Sequence, residues 1–145
     1  MEIIRRNTDY ALRMMVALAK SYESGELTSA TQLVHKGNIT HEVGRKMLQR
    51  LRDAELIKSV MGPKGGFALN KNPSDISLME IIAVLQGKLC LNACFAEDKG
   101  CEFESECGIN TKLSFLQQHL DDYLENITLQ EILDERSEME KQTLS

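Results

Sequence analysis

Residues 57–70, IKSVMGPKGGFALN, constrain the fold more than any other part of this 145-residue chain. Ile57, Val60 and Met61 on one side and Phe67, Ala68 and Leu69 on the other are short strand-like runs. Between them Gly62, Pro63, Lys64, Gly65 and Gly66 interrupt both helix and strand, so the stretch predicts a hairpin with a basic, glycine-rich tip. Upstream the pattern is helical. Residues 8–20 place Ala11, Met14, Met15 and Leu18 at helical spacing behind Thr8 as a cap. A short second helix is expected after Thr28, through Ala30, Leu33 and Val34, stopping at Gly37. Thr40 is a good N-cap for a third, in which Val43, Met47, Leu48, Leu51 and Ala54 make one apolar stripe. Gly44 is a weak helix former there, costing about 1 kcal/mol relative to alanine.

Three short helices followed by a two-stranded hairpin is the order of a winged helix-turn-helix, and the chemistry suits DNA. The third helix is long enough to lie in a major groove. Arg45, Lys46, Arg50 and Arg52 occupy its face away from the apolar stripe. Glycines let a backbone approach phosphates, and Lys64 can reach a phosphate or enter the minor groove. The same residues also fit a solvated helix face and a plain turn. A protein-interaction winged helix and a small metal-binding enzyme therefore stand as alternatives. Residues 1–75 hold 12 Lys and Arg against 8 Asp and Glu, a balance of +4, while residues 76–145 hold 5 against 14, a balance of −9. The net charge of −5 conceals a mildly basic half and a strongly acidic one, as a division of labour or as chance solvated surface.

Beyond the hairpin, Ser77 and Glu80 form a capping-box pattern that opens a helix with Ile81, Ile82 and Leu85. Periodicity then vanishes from Gly87 to Gly108. All four cysteines fall there, Cys90, Cys94, Cys101 and Cys107, with three, six and five residues between them. No pair has the C-x-x-C spacing of zinc ribbons or thioredoxin-type motifs. An irregular loop can turn several thiolates toward one point, where they bind an iron–sulfur cluster or zinc. A metal-free thiol–disulfide switch, or thiols packed in a loop, fits as well. A long helix follows with Leu113, Leu116, Leu120, Tyr123, Leu124 and Ile127 on one face. Thr128 and Glu131 make a second capping box, opening a final acidic helix with Leu129, Ile132 and Leu133; the tail after about Ser137 is expected to fray. His35, His41 and His119 are scattered and no catalytic arrangement stands out, so no catalysis is expected. No run of eighteen apolar residues occurs, and the charged start MEIIRRNTDY lacks the apolar segment of a secretory signal. A cytoplasmic location with reduced thiols is expected.

T-D-Y-A-L-R near the start, R-L-R-D-A-E-L-I-K-S-V-M-G-P-K-G-G-F-A-L in the middle and N-I-T-L-Q-E-I-L near the end resemble the IscR/NsrR-type regulators of the Rrf-two family. These are bacterial winged-helix transcription factors, many of which hold an iron–sulfur cluster. The resemblance spans Ile3 to Leu133. It implies a mainly α fold, a winged helix-turn-helix with a small β-hairpin wing, a cysteine-bearing loop and a long C-terminal dimerisation helix. The expected division is a DNA-binding region at 1–75, a linking helix and cysteine loop at 76–109 as sensor, and the dimerisation and acidic helices at 110–145, all in one intertwined domain. A homodimer on a dyad-symmetric double-stranded operator is implied, acting as a repressor, with no membrane and no small-molecule substrate. Thr40, His41, Arg45, Lys46 and Arg50 are expected to face the groove or its phosphates, with Lys64 and Gly65 in the wing. Gly44, Arg45 and Lys46 should decide sequence reading. They differ from the S-Y-L-E-Q run of IscR-like recognition helices, so a different operator is expected.

For the sensor, the resemblance implies that Cys94, Cys101 and Cys107 hold the cluster, although six residues separate the first two where five is more usual. IscR-like members add a histidine three residues after the third cysteine. Here that position is Asn110, and His119 is too far along the long helix. NsrR-like members can take a carboxylate near the N-terminus of the partner subunit, and Asp9 stands at the matching position. The ligand pattern is therefore closer to NsrR-like, with Cys90 the lesser candidate for fourth ligand. Such a set favours a four-iron cubane over a two-iron cluster, open to nitric oxide, oxygen, iron or redox state as signal. A cluster-free thiol or zinc-dependent regulator is the alternative.

Overall fold

The computed structural model describes residues 2–96, 103 and 106–144. Its elements in chain order are α1 (Arg6–Lys20), α2 (Ala30–Gly37), α3 (His41–Asp53), β1 (Ile57–Val60), β2 (Gly66–Leu69), α4 (Leu78–Gln86), α5 (Gly108–Asn126) and α6 (Leu129–Leu144). Single 3-10 turns lie at Pro73–Asp75 and Ala93–Phe95. The strands pair antiparallel, Ile57 opposite Leu69 and Val60 opposite Gly66. The expected mainly helical winged-helix architecture is present.

One core serves the N-terminal half. Ala11, Met14, Met15 and Leu18, the stripe read from α1, are at most 1% exposed. They pack with Leu33 of α2, Met47, Leu48 and Leu51 of α3, Leu56, Ile57 and Leu69 of the hairpin, and Ile76 and Ile81. Leu129 joins them, with Ile132 and Leu133 partly buried behind it, so α6 closes the same core that holds α3. Burying a Leu, Ile or Met side chain contributes about 1.5–3 kcal/mol, which makes this core the main anchor of α3. A smaller core joins Ile82, Leu89 and Leu124, flanked by Ile4, Leu78, Met79 and Leu120.

Several local expectations change. α1 starts at Arg6 rather than behind Thr8, which is buried inside the helix. The cause is distant in sequence: Gln86 accepts from the Arg5 N–H at 2.9 Å and donates to the Ile3 carbonyl at 2.9 Å, holding the segment before the helix in place. Met61 lies in the hairpin loop, 91% exposed, not in a strand. Ser77 caps α4 through the Glu80 N–H, but the Glu80 carboxylate turns to Lys71 at 2.6 Å, so only half of that box forms. The Thr128–Glu131 box forms completely. Past Ser137 the chain is helical to Leu144, fastened by the Lys20–Glu140 and Arg136–Glu140 ion pairs, and so does not fray where expected.

Gly44 is a packing requirement rather than a flaw. A Cβ there would meet Cγ2 of Val34 at 2.5 Å, because α2 and α3 cross closely at this point. Valine is stiff about χ1 and cannot swing aside. Gly44→Val should lower stability by about 2 kcal/mol through overpacking, read as a shift in the urea midpoint. An unchanged midpoint would refute the close crossing.

Candidate nucleic-acid interface and cysteine segment

Thr40 caps α3, its Oγ1 accepting the Val43 N–H at 3.4 Å. With Met47, Leu48 and Leu51 turned to the core, Glu42, Arg45, Lys46, Gln49, Arg50 and Arg52 are left exposed. Two shallow grooves flank the helix. One is lined by His41, Arg45 and Arg52 with Phe67 of the wing root, the other by Lys46, Arg50 and Asp53 with Asn7 and Leu85. The expected cations do not stand alike. Lys46 is 2.9 Å from Glu42, and its hydrogen bond and charge hold the Glu42 carboxyl below the usual carboxylate range. Arg50 donates to the Leu85 carbonyl at 3.0 Å, which ties it to the end of α4. Arg52 lies 3.6 Å from Asp53. Arg45 is exposed and makes no ion pair or hydrogen bond among the described residues.

Gly44 cannot take part in reading bases, because it is buried against α2. Gln49 was not singled out from sequence, where only the basic residues of the face were considered. It lines both grooves and so stands on the crest of α3, one turn beyond Arg45. A glutamine there can pair bidentately with adenine. The signal was available as an uncharged amide on the polar face.

The wing is rooted by Thr28, which exchanges both backbone hydrogen bonds with Phe67 at 3.0 and 2.8 Å. Lys64 is exposed at the loop. The two glycines beside it are required by the turn. A Cβ on Gly65 would strike the Val60 carbonyl oxygen, and one on Gly66 would lie 2.8 Å from the Thr28 carbonyl oxygen. The Gly65 N–H donates to Gly62 within the loop and is therefore committed there.

Of the cysteines, Cys101 lies outside the described residues. Cys90, Cys94 and Cys107 are half-buried. The Cys90 thiol donates to the Phe95 carbonyl at 3.4 Å, closing a small loop around the turn that carries Cys94. Cys107 is the N-cap of α5, its sulfur accepting the Asn110 N–H at 3.4 Å. Asn110 Oδ1 is buried without a hydrogen-bond partner among the described residues, an acceptor left open one turn from Cys107. Asp9, in the first turn of α1, is 2.8 Å from Arg13, and the Arg6 and Arg13 guanidiniums each lie 5.7 Å from the centre of the Tyr10 ring. Among the described residues no three His, Cys, Asp or Glu side chains gather as a metal site. Nor, among those residues, is any helix long and apolar enough to cross a membrane.

An outward helix bearing cations and a crest glutamine, flanked by a wing, defines a DNA-binding winged helix. The family model for Rrf2, an iron-dependent transcriptional regulator, matches residues 4–135, and the chain belongs to that family. It is a transcriptional regulator and not an enzyme. It is similar to the HTH-type transcriptional regulator IscR of Klebsiella pneumoniae, 29% identical over 124 residues, which are 86% of this chain and 75% of the relative. In fold it resembles CymR, the global cysteine regulator of B. subtilis, with a TM-score of 0.74 and 24% identity over 92% of this chain and 98% of that one. It equally resembles IscR of T. potens, with a TM-score of 0.73 and 23% identity over 92% and 87% of the two chains. At these identities the two structures establish the fold alone, and both kinds of regulator share it.

Proposed function

We propose that this regulator is a cytoplasmic homodimer and a repressor whose operator affinity is controlled by an iron–sulfur cluster. Cys94, Cys101 and Cys107 would hold it, with Asp9 of the partner subunit as fourth ligand. One observation carries the sensing half. The chain just before Cys94 is tied to α5 through Leu91 and Gln117, Cys107 caps the same helix, and one turn from Cys107 the Asn110 Oδ1 is buried with no hydrogen-bond partner among the described residues. Half-buried thiols at Cys94 and Cys107 supply the soft donors that a thiolate-bound cluster takes. When bound, the cluster supplies an iron edge that nitric oxide, oxygen or loss of iron alters. For Asp9 to serve, its carboxylate must be shared with or drawn away from Arg13, which holds Oδ2. That pairing favours a second reading, a cluster-free thiol regulator.

In this reading Arg45 and the Gln49 crest enter the major groove, His41 and Lys46 flank them, and Lys64 reaches the neighbouring backbone or minor groove. Fluorescence anisotropy and footprinting on the DNA next to the protein's own gene test it. Arg45→Ala should cost about 1–3 kcal/mol and relax sequence preference at one base pair. Lys64→Ala should weaken all sequences alike and reduce the salt slope by about 1. Undetectable or salt-independent binding in every form of the protein would overturn the assignment.

Dimerisation is proposed on α5. Ile109, Leu116 and Tyr123 recur every seven residues and are 70, 55 and 64% exposed, with Phe115 beside them. A seven-residue apolar row left open on a nineteen-residue helix is the pattern of a helix pairing with its copy. Of the other apolar residues of the face expected from sequence, Leu124 turns inward fully and Leu120 partly.

A further inference from the structure

We infer that Gln117 is a positioning residue that couples the cysteine segment to the reading helix through the end of α4. The inference rests on the proposed roles of that segment and of α3. Gln117 is 6% exposed and its amide is fully used: Oε1 accepts the Leu91 N–H at 2.8 Å, while Nε2 donates to the Leu89 carbonyl and to Asp121, both at 2.8 Å. A buried amide that has lost its water is costly to leave with a partner missing, so these bonds hold as a set. They clamp both sides of Cys90 to α5, and Leu89 sinks into the smaller core between Ile82 and Leu124.

From this clamp the chain runs back two residues to Gly87, the C-cap of α4 at φ +84°. The last turn of α4 is a junction. The Leu85 carbonyl accepts from Arg50 of α3, and Gln86 holds Ile3 and Arg5 ahead of α1. Within residues 85–91, then, three tethers reach α3, the start of α1 and α5. A rearrangement among the cysteines that pulls on Leu89 or Leu91 is carried along six residues to Arg50 on the DNA-facing helix. Arg50 thereby positions α3 against the end of α4.

The full-length protein tests this with N-ethylmaleimide as the probe for the cysteines. In the wild type, alkylation should change operator affinity about five-fold or more, the low end of allosteric coupling. In Gln117→Leu, which keeps the side chain's bulk, alkylated and untreated protein should bind within about two-fold of each other while the unfolding midpoint still reports a folded chain. Equal sensitivity in the two proteins, or none in the wild type, overturns the inference. Hydrogen exchange on the wild type gives a second measurement should Gln117→Leu not fold. Alkylation should alter protection at residues 85–91 and in the second half of α3; a change confined to residues 90–96 refutes the coupling. Absence of operator binding in every sample, with the exchange change intact, would instead sink the DNA reading and leave the link standing.

Discussion

Leu116→Asp should turn the protein from a dimer into a monomer and abolish operator binding. In the single chain Leu116 is 55% exposed, so the substitution leaves the fold of each protomer nearly untouched. In a two-fold helix pair the same position is buried twice. Each new carboxylate would be desolvated without a partner, at about 3 kcal/mol or more per protomer. Two such penalties weaken association by about four orders of magnitude. Sedimentation at micromolar concentration should then fall from twice 16.4 kDa to 16.4 kDa. Two half-sites could no longer be bound together, so operator binding should vanish at salt levels where the wild type saturates. A variant that keeps the dimer mass would place the interface elsewhere than α5.

Cys107→Ser should remove the cluster without unfolding the protein. Cys107 caps α5 with its sulfur, and serine is a better N-cap than cysteine, so stability should hold or rise slightly. The lost thiolate is then the only chemical change. Iron and acid-labile sulfide should drop to background, and operator affinity should settle at the cluster-free value. Cys90→Ser should be mild by comparison, since a hydroxyl can replace the thiol that donates to the Phe95 carbonyl. Asp9→Asn should leave a cluster that forms but is lost faster, with Arg13 released from its ion pair. A Cys107→Ser protein that retains full iron and sulfide would remove this residue from the ligand set.

Much of the fold was legible because its signals are local. The apolar stripes of α1 and α3, the caps at Thr40 and Thr128, and the glycine-rich wing each depend on residues within a turn or two. What was not legible depends on tertiary neighbours. Thr8 reads as a cap, but Gln86, far along the chain, fixes the start of α1 elsewhere. Gly44 reads as a propensity penalty, but Val34 on α2 makes it necessary. Arg50 belongs to the basic face by spacing, yet the carbonyl that holds it is on α4. Gln117 gave no sequence signal, because a glutamine on a helix is ordinarily solvated and it is the Leu89–Leu91 backbone, brought against it by the fold, that gives it a role. The candidate site was legible as residue types and order. Pairings such as Lys46–Glu42 and Asp9–Arg13 follow helical i,i+4 spacing and were within reach, but charges read one by one conceal them.

The most direct test of cluster-controlled DNA binding is made on one anaerobic preparation. Its absorption spectrum and its iron and sulfide content are measured, and its affinity for the operator is taken by anisotropy before and after the cluster is removed. The account predicts a coloured protein with iron and acid-labile sulfide on each protomer, and an operator affinity that shifts about five-fold or more when they are lost. A colourless protein with stoichiometric zinc or no metal after reconstitution, or an affinity that does not move, would contradict it.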